Sequence, residues 1–358
     1  MTLVLKSNQV FLGEPLGDIN GIEGDVNWRT MLNFADNRFV HNKNNVNFSD
    51  AVNYTRAGAA TYVNSIGNEV TVGANIPRLN KNGLLVEAAA NNILLNSDNP
   101  VSQEVTLTKD VLFSYRVIGS GTINVTHPNS TISTGEVSEG GLGLIQVSAD
   151  TVKAQVTITG ANTYAQVSRV YAVPSKDSLI HTTTKAEGRE TDVAAIKPSL
   201  LSSLTNFTVV MHVSLQDWVR VEGARYTQPI LDIGFSNGSR ISLANVILDR
   251  NSPANTPPTQ RTRLYFDGAE KYYIESADTS RSLTFAISVT PTGVKVAKNG
   301  VLTGEQSFKA SSISDFTLGR AQSWTGTSLG LQGSVSHVAI FDKAMSAAEL
   351  ADVSKSWI

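Results

Sequence analysis

The chain has 358 residues, with 29 lysine and arginine residues against 31 aspartate and glutamate residues, so its formal net charge is -2. That balance provides no broad positive field and argues against nucleic acid as a partner. The absence of cysteine excludes disulfides and thiolate metal sites, and the absence of a long apolar stretch argues against membrane insertion. We therefore expect a soluble protein that carries no signal peptide.

The composition favours strands over helices. Only 17% of the residues are charged, while Thr, Ser, Val, Asn and Gly recur along the whole chain. Such residues suit short strands and tight turns better than long surface helices. We expect an all-β fold with two or three compact units.

The N-terminal part divides into two stretches. Residues 1–53 are rich in Asn, Asp and Gly and show no periodicity, which predicts an extended docking or oligomerisation segment, with a disordered leader as the alternative. Residues 54–100 alternate short apolar groups with Gly and Asn turns, and Pro77 interrupts them. This pattern predicts small strands joined by tight turns.

Residues 101–173 carry a clearer alternation. Apolar residues recur at spacing two, as in Phe113, Tyr115 and Val117, with Gly-rich turns between the runs. One buried and one solvated face per strand is typical of a small antiparallel sandwich. The polar residues 174–198 that follow predict a linker.

Residues 199–358 show the strongest pattern. Apolar residues alternate from Phe207 to Leu215, and similar runs recur as far as Ile340. This spacing predicts a two-sheet jelly roll. Ser346 and Glu349 form a capping-box pair, which predicts a short helix at the C-terminus.

Three strings resemble bacteriophage tail-fibre and related virion proteins. They are TRAGAATYVNSIG, NIPRLNKNGLLVEAAANNILLNS at 75–97, and LIHTTTKAEGRETDVAAI at 179–196. The chain departs from the family pattern at Ala90-Asn91-Asn92 and at Glu187-Gly188-Arg189-Glu190. The resemblance implies a virion fibre protein with a small β-domain, similar to a carbohydrate-binding module, between the matching segments.

The C-terminal part resembles the concanavalin A-like, laminin-G-like lectin superfamily. The resemblance is carried by FTVVMHVSL, LTFAISV, VKVAKNGVL, FTLGR and GSVSHVAIFDKAMSAAEL. It implies a lectin domain. The resemblance to virion fibre proteins implies a homotrimer, docking of residues 1–53 on other virion proteins, and a host surface glycan as partner. The fibre resemblance also implies synthesis in a host bacterial cytoplasm and a place on the virion surface.

The sequence contains no pattern typical of catalysis. Glycan-cleaving relatives of this fold carry a Glu-x-Asp-x-x-Glu string, which is absent here, and Glu222 and Asp232 are isolated acids. His212 and His337 lie in predicted strands, where packing explains them better than base catalysis. We predict no catalytic residue and no enzyme activity.

Calcium is the one cofactor that the residue types allow. Asp249, Asp267 and Asp278 lie in predicted loops rich in Asn and Gly, and carboxylate oxygens are ligands that calcium prefers. The simpler alternative is that these carboxylates are only solvated. Without calcium, we expect no cofactor.

Sugar binding requires an exposed aromatic ring beside polar groups that bind hydroxyls. Trp324, with Arg320 and Gln322 nearby, is the first candidate for a carbohydrate site, followed by Tyr226 and Tyr272. The alternative is that these aromatic rings close the sandwich or a subunit interface.

These observations predict a phage fibre protein, of the tail or the collar, that adheres to the host by binding carbohydrate. Two other functions stay open. One is a capsid or collar decoration protein without a specific receptor, and the other is a glycan-depolymerising enzyme.

Overall fold

The structure is a computed structural model. It describes residues 28–64, 66–171, 174–175, 178–216, 225–248, 259–276, 280–321 and 330–356. Strands dominate these residues and the helices are short, which confirms the predicted all-β fold. None of the helices in these ranges is long and apolar enough to cross a membrane.

The first part of the chain forms short strands. They are Trp28–Asn33 (β1), Arg38–His41 (β2), Asn44–Val46 (β3), Val52–Thr55 (β4), Ala60–Val63 (β5), Glu69–Val72 (β6), Leu79–Asn80 (β7), Gly83–Val86 (β8) and Ala90–Asn92 (β9). Helix Phe48–Ala51 (α1) lies between β3 and β4.

The middle of the chain forms eight strands. They are Gln103–Leu107 (β10), Phe113–Gly119 (β11), Thr122–Thr126 (β12), Ser130–Ser133 (β13), Val137–Ser138 (β14), Gly143–Val147 (β15), Val152–Thr159 (β16) and Asn162–Arg169 (β17).

The last part begins with Glu187–Arg189 (β18), Val193–Ile196 (β19) and helix Pro198–Leu201 (α2), and ends with helix Ala347–Ser356 (α3). Its remaining strands are longer. They are Phe207–Leu215 (β20), Arg225–Phe235 (β21), Arg240–Leu248 (β22), Thr259–Phe266 (β23), Ala269–Ser276 (β24), Ser282–Thr290 (β25), Gly293–Lys298 (β26), Val301–Leu302 (β27), Gln306–Ser307 (β28), Ile313–Leu318 (β29) and Gly333–Phe341 (β30).

Two large sheets form the main sandwich. Sheet A runs β27-β26-β25-β20-β30-β1-β2-β3, and β8 also pairs with β30. Sheet B runs β24-β23-β22-β21-β29-β19-β4. Alternate apolar side chains from both sheets, such as Met211, Phe285, Phe316 and Leu243, share one buried core. Spacing-two burial thus produces the two facing sheets that the sequence predicts.

The small sandwich lies between β9 and β18 in sequence. One of its sheets runs β10-β16-β12-β14 and the other runs β13-β15-β11-β17. Tyr115, Val117, Ile145 and Val156 are among the side chains of its own core. The alternation in residues 101–173 therefore builds a separate apolar interior.

The main sandwich draws on residues from far outside 199–358. The first three strands extend sheet A through the β1–β30 pairing, and β4 joins sheet B through β19. Strand β19 lies within residues 174–198 and also pairs with β29. Periodicity within a strand does not specify its partners, so these pairings become visible only in the tertiary structure.

The C-terminal helix begins at the predicted capping box. The backbone N–H of Ser346 donates to Glu349 Oε2 at 2.7 Å, and the N–H of Glu349 donates to Ser346 Oγ at 3.3 Å. Leu350 and Val353 then pack on the outer face of sheet A, against Val210 and other apolar residues. The capping-box prediction is confirmed.

Candidate functional site

Five charged side chains lie buried where the two segments that flank the small sandwich meet. This ionic cluster comprises Arg56, Arg78, Glu87, Arg189 and Asp192. Arg78 binds both carboxylates, at 2.5 Å from Glu87 Oε2 and through its other terminal nitrogen to Asp192. Arg189 lies 3.1 Å from the same Glu87 oxygen, and Arg56 lies 3.3 Å from Asp192 Oδ1. Each carboxylate therefore contacts two guanidinium groups.

The surroundings of Glu87 keep it ionised. Burial alone would raise the pKa of Glu87, but the guanidinium groups of Arg189 and Arg78 outweigh burial and hold that pKa well below its usual range. The Ser178 hydroxyl donates to Glu87 Oε2 at 2.5 Å, and the Gln216 amide donates to Oε1 at 2.8 Å. The cluster holds three guanidinium groups against two carboxylates, so the loss of either carboxylate would leave a buried guanidinium group without an acidic partner.

The strings that resemble virion fibre proteins are called the fibre-like segments, and they supply the residues of the ionic cluster. Arg78 and Glu87 belong to the string at 75–97, whereas Arg189 and Asp192 belong to the string at 179–196. Strand β9 pairs with β18 beside it. Sequence reasoning gave these charges no role. The sequence feature that could have indicated the cluster is Glu87, a carboxylate that directly follows the apolar residues Leu84 to Val86 with no turn between them.

A second ionic contact lies nearer the surface at the same junction. His181 Nε2 lies 2.5 Å from Glu69 Oε1 on β6, and His181 Nδ1 lies 2.5 Å from Asp98 Oδ1. Burial lowers the pKa of His181, but the two carboxylates outweigh burial and raise it above its ordinary value. The His181 side chain thus joins the β5–β6 hairpin to the segment that enters the small sandwich.

The candidate carbohydrate residues divide between described and undescribed parts of the chain. Trp324 and Gln322 lie outside the described residues, and Tyr272 is placed only as a position on β24. Tyr226 lies near the start of β21 and is half-buried. Arg320 is also half-buried and follows β29, where the N–H of Gly319 donates to Ile230 O at 2.8 Å.

The register brings Tyr226 and Arg320 to one end of sheet B. Leu318, the last residue of β29, is the partner of Leu231, the seventh of the eleven residues of β21, so the chain that leaves β29 continues towards the start of β21. Strand β23 also begins at this end, and β22 and β24 finish there. We call this end the rim of sheet B. Its described residues supply one phenol ring and one guanidinium group of the predicted sugar site.

The three predicted calcium ligands are not seen together. Asp267 occupies the turn between β23 and β24, at the end of sheet B opposite the rim, and accepts the N–H of Arg240 at 2.7 Å. Asp249 and Asp278 lie outside the described residues. In the described ranges, no group of three or more His, Asp or Glu side chains could hold a metal ion. The geometry therefore explains Asp267 as a turn residue.

Asp232 is held by neighbours on the outer face of sheet B. Its carboxylate accepts from Arg240 and from the Ser242 hydroxyl, the latter at 2.5 Å, and Arg240 also binds Asp315 at 2.5 Å. Asp232 is fully buried in these contacts. The other isolated acid, Glu222, lies outside the described residues.

His212 and His337 are register partners on β20 and β30. Burial lowers the pKa of both, and with the neighbouring His212 it brings the pKa of His337 to about 4. His212 Nδ1 lies 2.8 Å from Thr284 Oγ1 and its Nε2 lies 3.1 Å from Ser282 Oγ. Both imidazoles are thus neutral at pH 7 and hydrogen-bonded within the sheet.

No protein-family model matches the chain, and no curated protein matches it. Similar solved structures include the CBM40 of the Ruminococcus gnavus IT-sialidase, 19% identical, covering 42% of this chain and 84% of that one, with a TM-score of 0.28. Domain 4 of AbnA, a GH43 extracellular arabinanase from Geobacillus stearothermophilus solved with arabinotriose, is 17% identical, with 46% and 73% covered and a TM-score of 0.30.

A third similar structure is the binding domain of Botulinum neurotoxin DC, solved in complex with rat synaptotagmin II. It is 10% identical, with 47% of this chain and 41% of that chain covered and a TM-score of 0.29. Carbohydrate-binding modules are thus among the similar structures. At so low an identity and TM-score, the similarity concerns the fold of part of the chain and carries no information on its ligand.

Proposed function

We propose that the chain is a bacteriophage virion attachment protein that adheres to the host surface by binding a glycan. The observation that carries this proposal is the ionic cluster. Its residues come from two fibre-like segments that the whole small sandwich separates in sequence, yet Arg78, Glu87, Arg189 and Asp192 meet in one buried contact. The contact supports the resemblance because the residues from the two fibre-like segments together form one ionic junction beside the small sandwich.

Glycan adhesion is assigned to the rim of sheet B. A phenol ring can stack on the apolar face of a sugar, and a guanidinium group can donate to its hydroxyls. Tyr226 and Arg320 lie at this rim, and Trp324, Gln322 and Tyr272 belong to the same proposed site. The strands of sheet B would position these groups at its rim.

The proposal is adhesion without catalysis. Hydrolysis of a glycosidic bond needs two carboxyl groups across a cleft, one of them as a proton donor. The carboxylate of Asp232 is instead occupied by Arg240 and Ser242 inside the outer face of sheet B. This arrangement supports a binding role over a depolymerising one.

The quaternary arrangement is part of the proposal. We propose a homotrimer on the virion surface that docks on other virion proteins through residues 1–53, of which residues 28–53 also supply β1–β3 to sheet A and the start of β4 to sheet B. Three weak glycan contacts on one particle would then act together through avidity. Sedimentation of the purified chain and gold labelling of virions test these two points, and a monomer or an unlabelled particle would contradict them.

Binding to bacteria tests the main function. We expect labelled chain to bind cells of a susceptible strain saturably, and purified surface polysaccharide of that strain to compete. Tyr226→Ala should weaken binding, whereas Tyr62→Ala, on the β5–β6 hairpin, should leave it unchanged. Unsaturable binding would favour a decoration protein, and new reducing ends in the polysaccharide would reveal an enzyme.

A further inference from the structure

Five uncharged polar residues lie on adjoining segments of the main sandwich, from three neighbouring strands of sheet B to the segments that follow β20 and precede β30. This polar seam comprises Gln216, Gln228, Asn245, Thr262 and Gln332. Gln228 is the register partner of Asn245, and Asn245 is the register partner of Thr262, across three neighbouring strands. Residues directly opposite in neighbouring antiparallel strands place their side chains on the same face, about 5 Å apart.

The seam lies on the core side of sheet B, one layer closer to the rim than the apolar core. Asn245 follows Leu243 by two residues on β22, and Thr262 precedes Leu264 by two residues on β23, so each shares the face of a core leucine. From there the seam crosses towards the ionic cluster. The N–H of Gln332 donates to Gln228 Oε1 at 3.3 Å, and the N–H of Gln216 donates to Gln332 O at 2.9 Å.

Many polar atoms of the seam have no hydrogen-bond partner. They are both amide atoms of Asn245, Nε2 of Gln228, Oγ1 of Thr262, and Oε1 of Gln216 and of Gln332. Asn245 and Gln228 are fully buried, and Thr262 and Gln332 are nearly so. A buried polar group without a partner destabilises the folded chain, a cost that an apolar side chain of the same shape would avoid.

The unpaired atoms define the chemistry of a ligand. Amide nitrogens donate, amide oxygens accept, and the threonine hydroxyl does both, so together they match groups that donate and accept at once. The seam contains neither a carboxylate nor a cation, so a charged ligand would lack a counter-charge there. Hydroxyl groups of a neutral sugar fit these requirements.

We propose that the polar seam is the subsite that binds the hydroxyl groups of a neutral saccharide beneath the rim of sheet B. This inference rests on the proposed glycan adhesion and adds the ligand class and the residues that select it. Since the seam atoms are shielded from solvent, binding requires local opening of this end of the sandwich. We therefore expect association to be slower than at an open site, because opening must precede binding.

Isosteric apolar substitutions separate a ligand site from a structural one. Leu has the branching of Asn and Val has that of Thr, so Asn245→Leu with Thr262→Val removes the polar atoms and keeps the branching of both side chains. We expect the double variant to melt no lower than the wild-type chain and to lose affinity for its best neutral glycan by about tenfold or more. Ser242→Ala is the matched control, because Ser242 lies on the opposite face of β22 and its hydroxyl has a partner in Asp232. That control should melt lower and bind normally.

The readout is an array of neutral and acidic bacterial glycans, followed by calorimetric titration of the best neutral hit with each full-length chain. A wild-type chain that binds no glycan would overturn both the adhesion proposal and the seam. Wild-type binding that the double variant retains would overturn the seam alone. A double variant that melts lower and binds normally would contradict the inference, because it would show that the seam holds ordered water as a structural element. A preference of the wild-type chain for acidic glycans would also contradict it.

Discussion

The ionic cluster and the polar seam are neighbouring polar regions, because Gln216, a member of the seam, donates to Glu87 of the cluster. In the cluster, each carboxylate contacts two guanidinium groups and accepts further hydrogen bonds. In the seam, both amide atoms of Asn245 and the hydroxyl of Thr262 are unpaired. The cluster joins two distant segments of the chain through ion pairs. The unpaired polar atoms of the seam form no such links, and apolar side chains could fill the same positions.

The difference separates polar groups that stabilise a junction of the chain from polar groups that we propose to bind a ligand. A buried charge is tolerated only with its partners, so the cluster specifies one arrangement of the fibre-like segments. Unpaired neutral groups lower the stability of the folded chain without specifying an arrangement. Such groups are expected at functional sites. Four substitutions or conditions test this contrast.

The largest effect is expected in the cluster. Asp192→Asn removes the negative charge that faces Arg56 and Arg78, which would leave the buried Arg56 without a carboxylate partner and Arg78 with Glu87 alone. We expect a loss of about 3–5 kcal/mol in the free energy of unfolding, measured by urea denaturation. Asp150→Asn is the control, because the Asp150 side chain is 90% exposed beside Lys109. Equal stability of the two variants would mean that the cluster does not hold the junction.

A hydroxyl beside the cluster gives the next effect. Ser178 donates to Glu87 Oε2 at 2.5 Å and accepts from Arg78 at 2.6 Å, so Ser178→Ala removes two hydrogen bonds to charged groups. We expect a loss of about 1.5–3 kcal/mol by the same denaturation experiment. A change near zero would show that water replaces the serine, and that the junction is less dry than its burial indicates.

The same chemical change in the seam should have the opposite sign. Thr262→Val also replaces a hydroxyl, but the hydroxyl of Thr262 is unpaired and buried. We expect the free energy of unfolding to stay constant or to rise by up to about 1 kcal/mol. A clear loss of stability would remove the contrast between the two regions, because it would give the Thr262 hydroxyl a structural partner.

The smallest effect concerns pH. Glu69 and Asp98 raise the pKa of His181 in the folded chain. The contribution of this ion pair to the free energy of unfolding is therefore fully present below the pKa of the unfolded chain, near 6.5, and is lost as the pH rises through the folded pKa. Because the side chain is 38% exposed, we expect no more than about 1 kcal/mol. Denaturation of wild-type and His181→Asn chains at pH values of about 6 and 9 measures it. The difference between the chains should shrink at the higher pH, and Glu69→Gln with Asp98→Asn should reproduce the variant.

Particular residues show how far the sequence could predict the candidate site. Tyr226 and Arg320 were chosen for their residue types, and the register brings both to the rim of sheet B. Asp267 was chosen for a metal site, but a turn hydrogen bond to Arg240 explains its position. The sequence did not indicate Asn245 as a site residue. A polar residue in an apolar run is known to be buried and unpaired only when its neighbours across the sheet are known.

The sequence by itself determined the local structure. Alternation at spacing two determined which face of each strand is buried, and the Ser346 and Glu349 pair determined where the C-terminal helix begins, because both depend on residues close in the chain. Only the tertiary structure decided which strands pair. It brought β1 beside β30 and β19 beside β4, and it brought Arg78, Glu87, Arg189 and Asp192 together. Contacts between distant segments depend on the packing of the whole chain, and no local pattern encodes them.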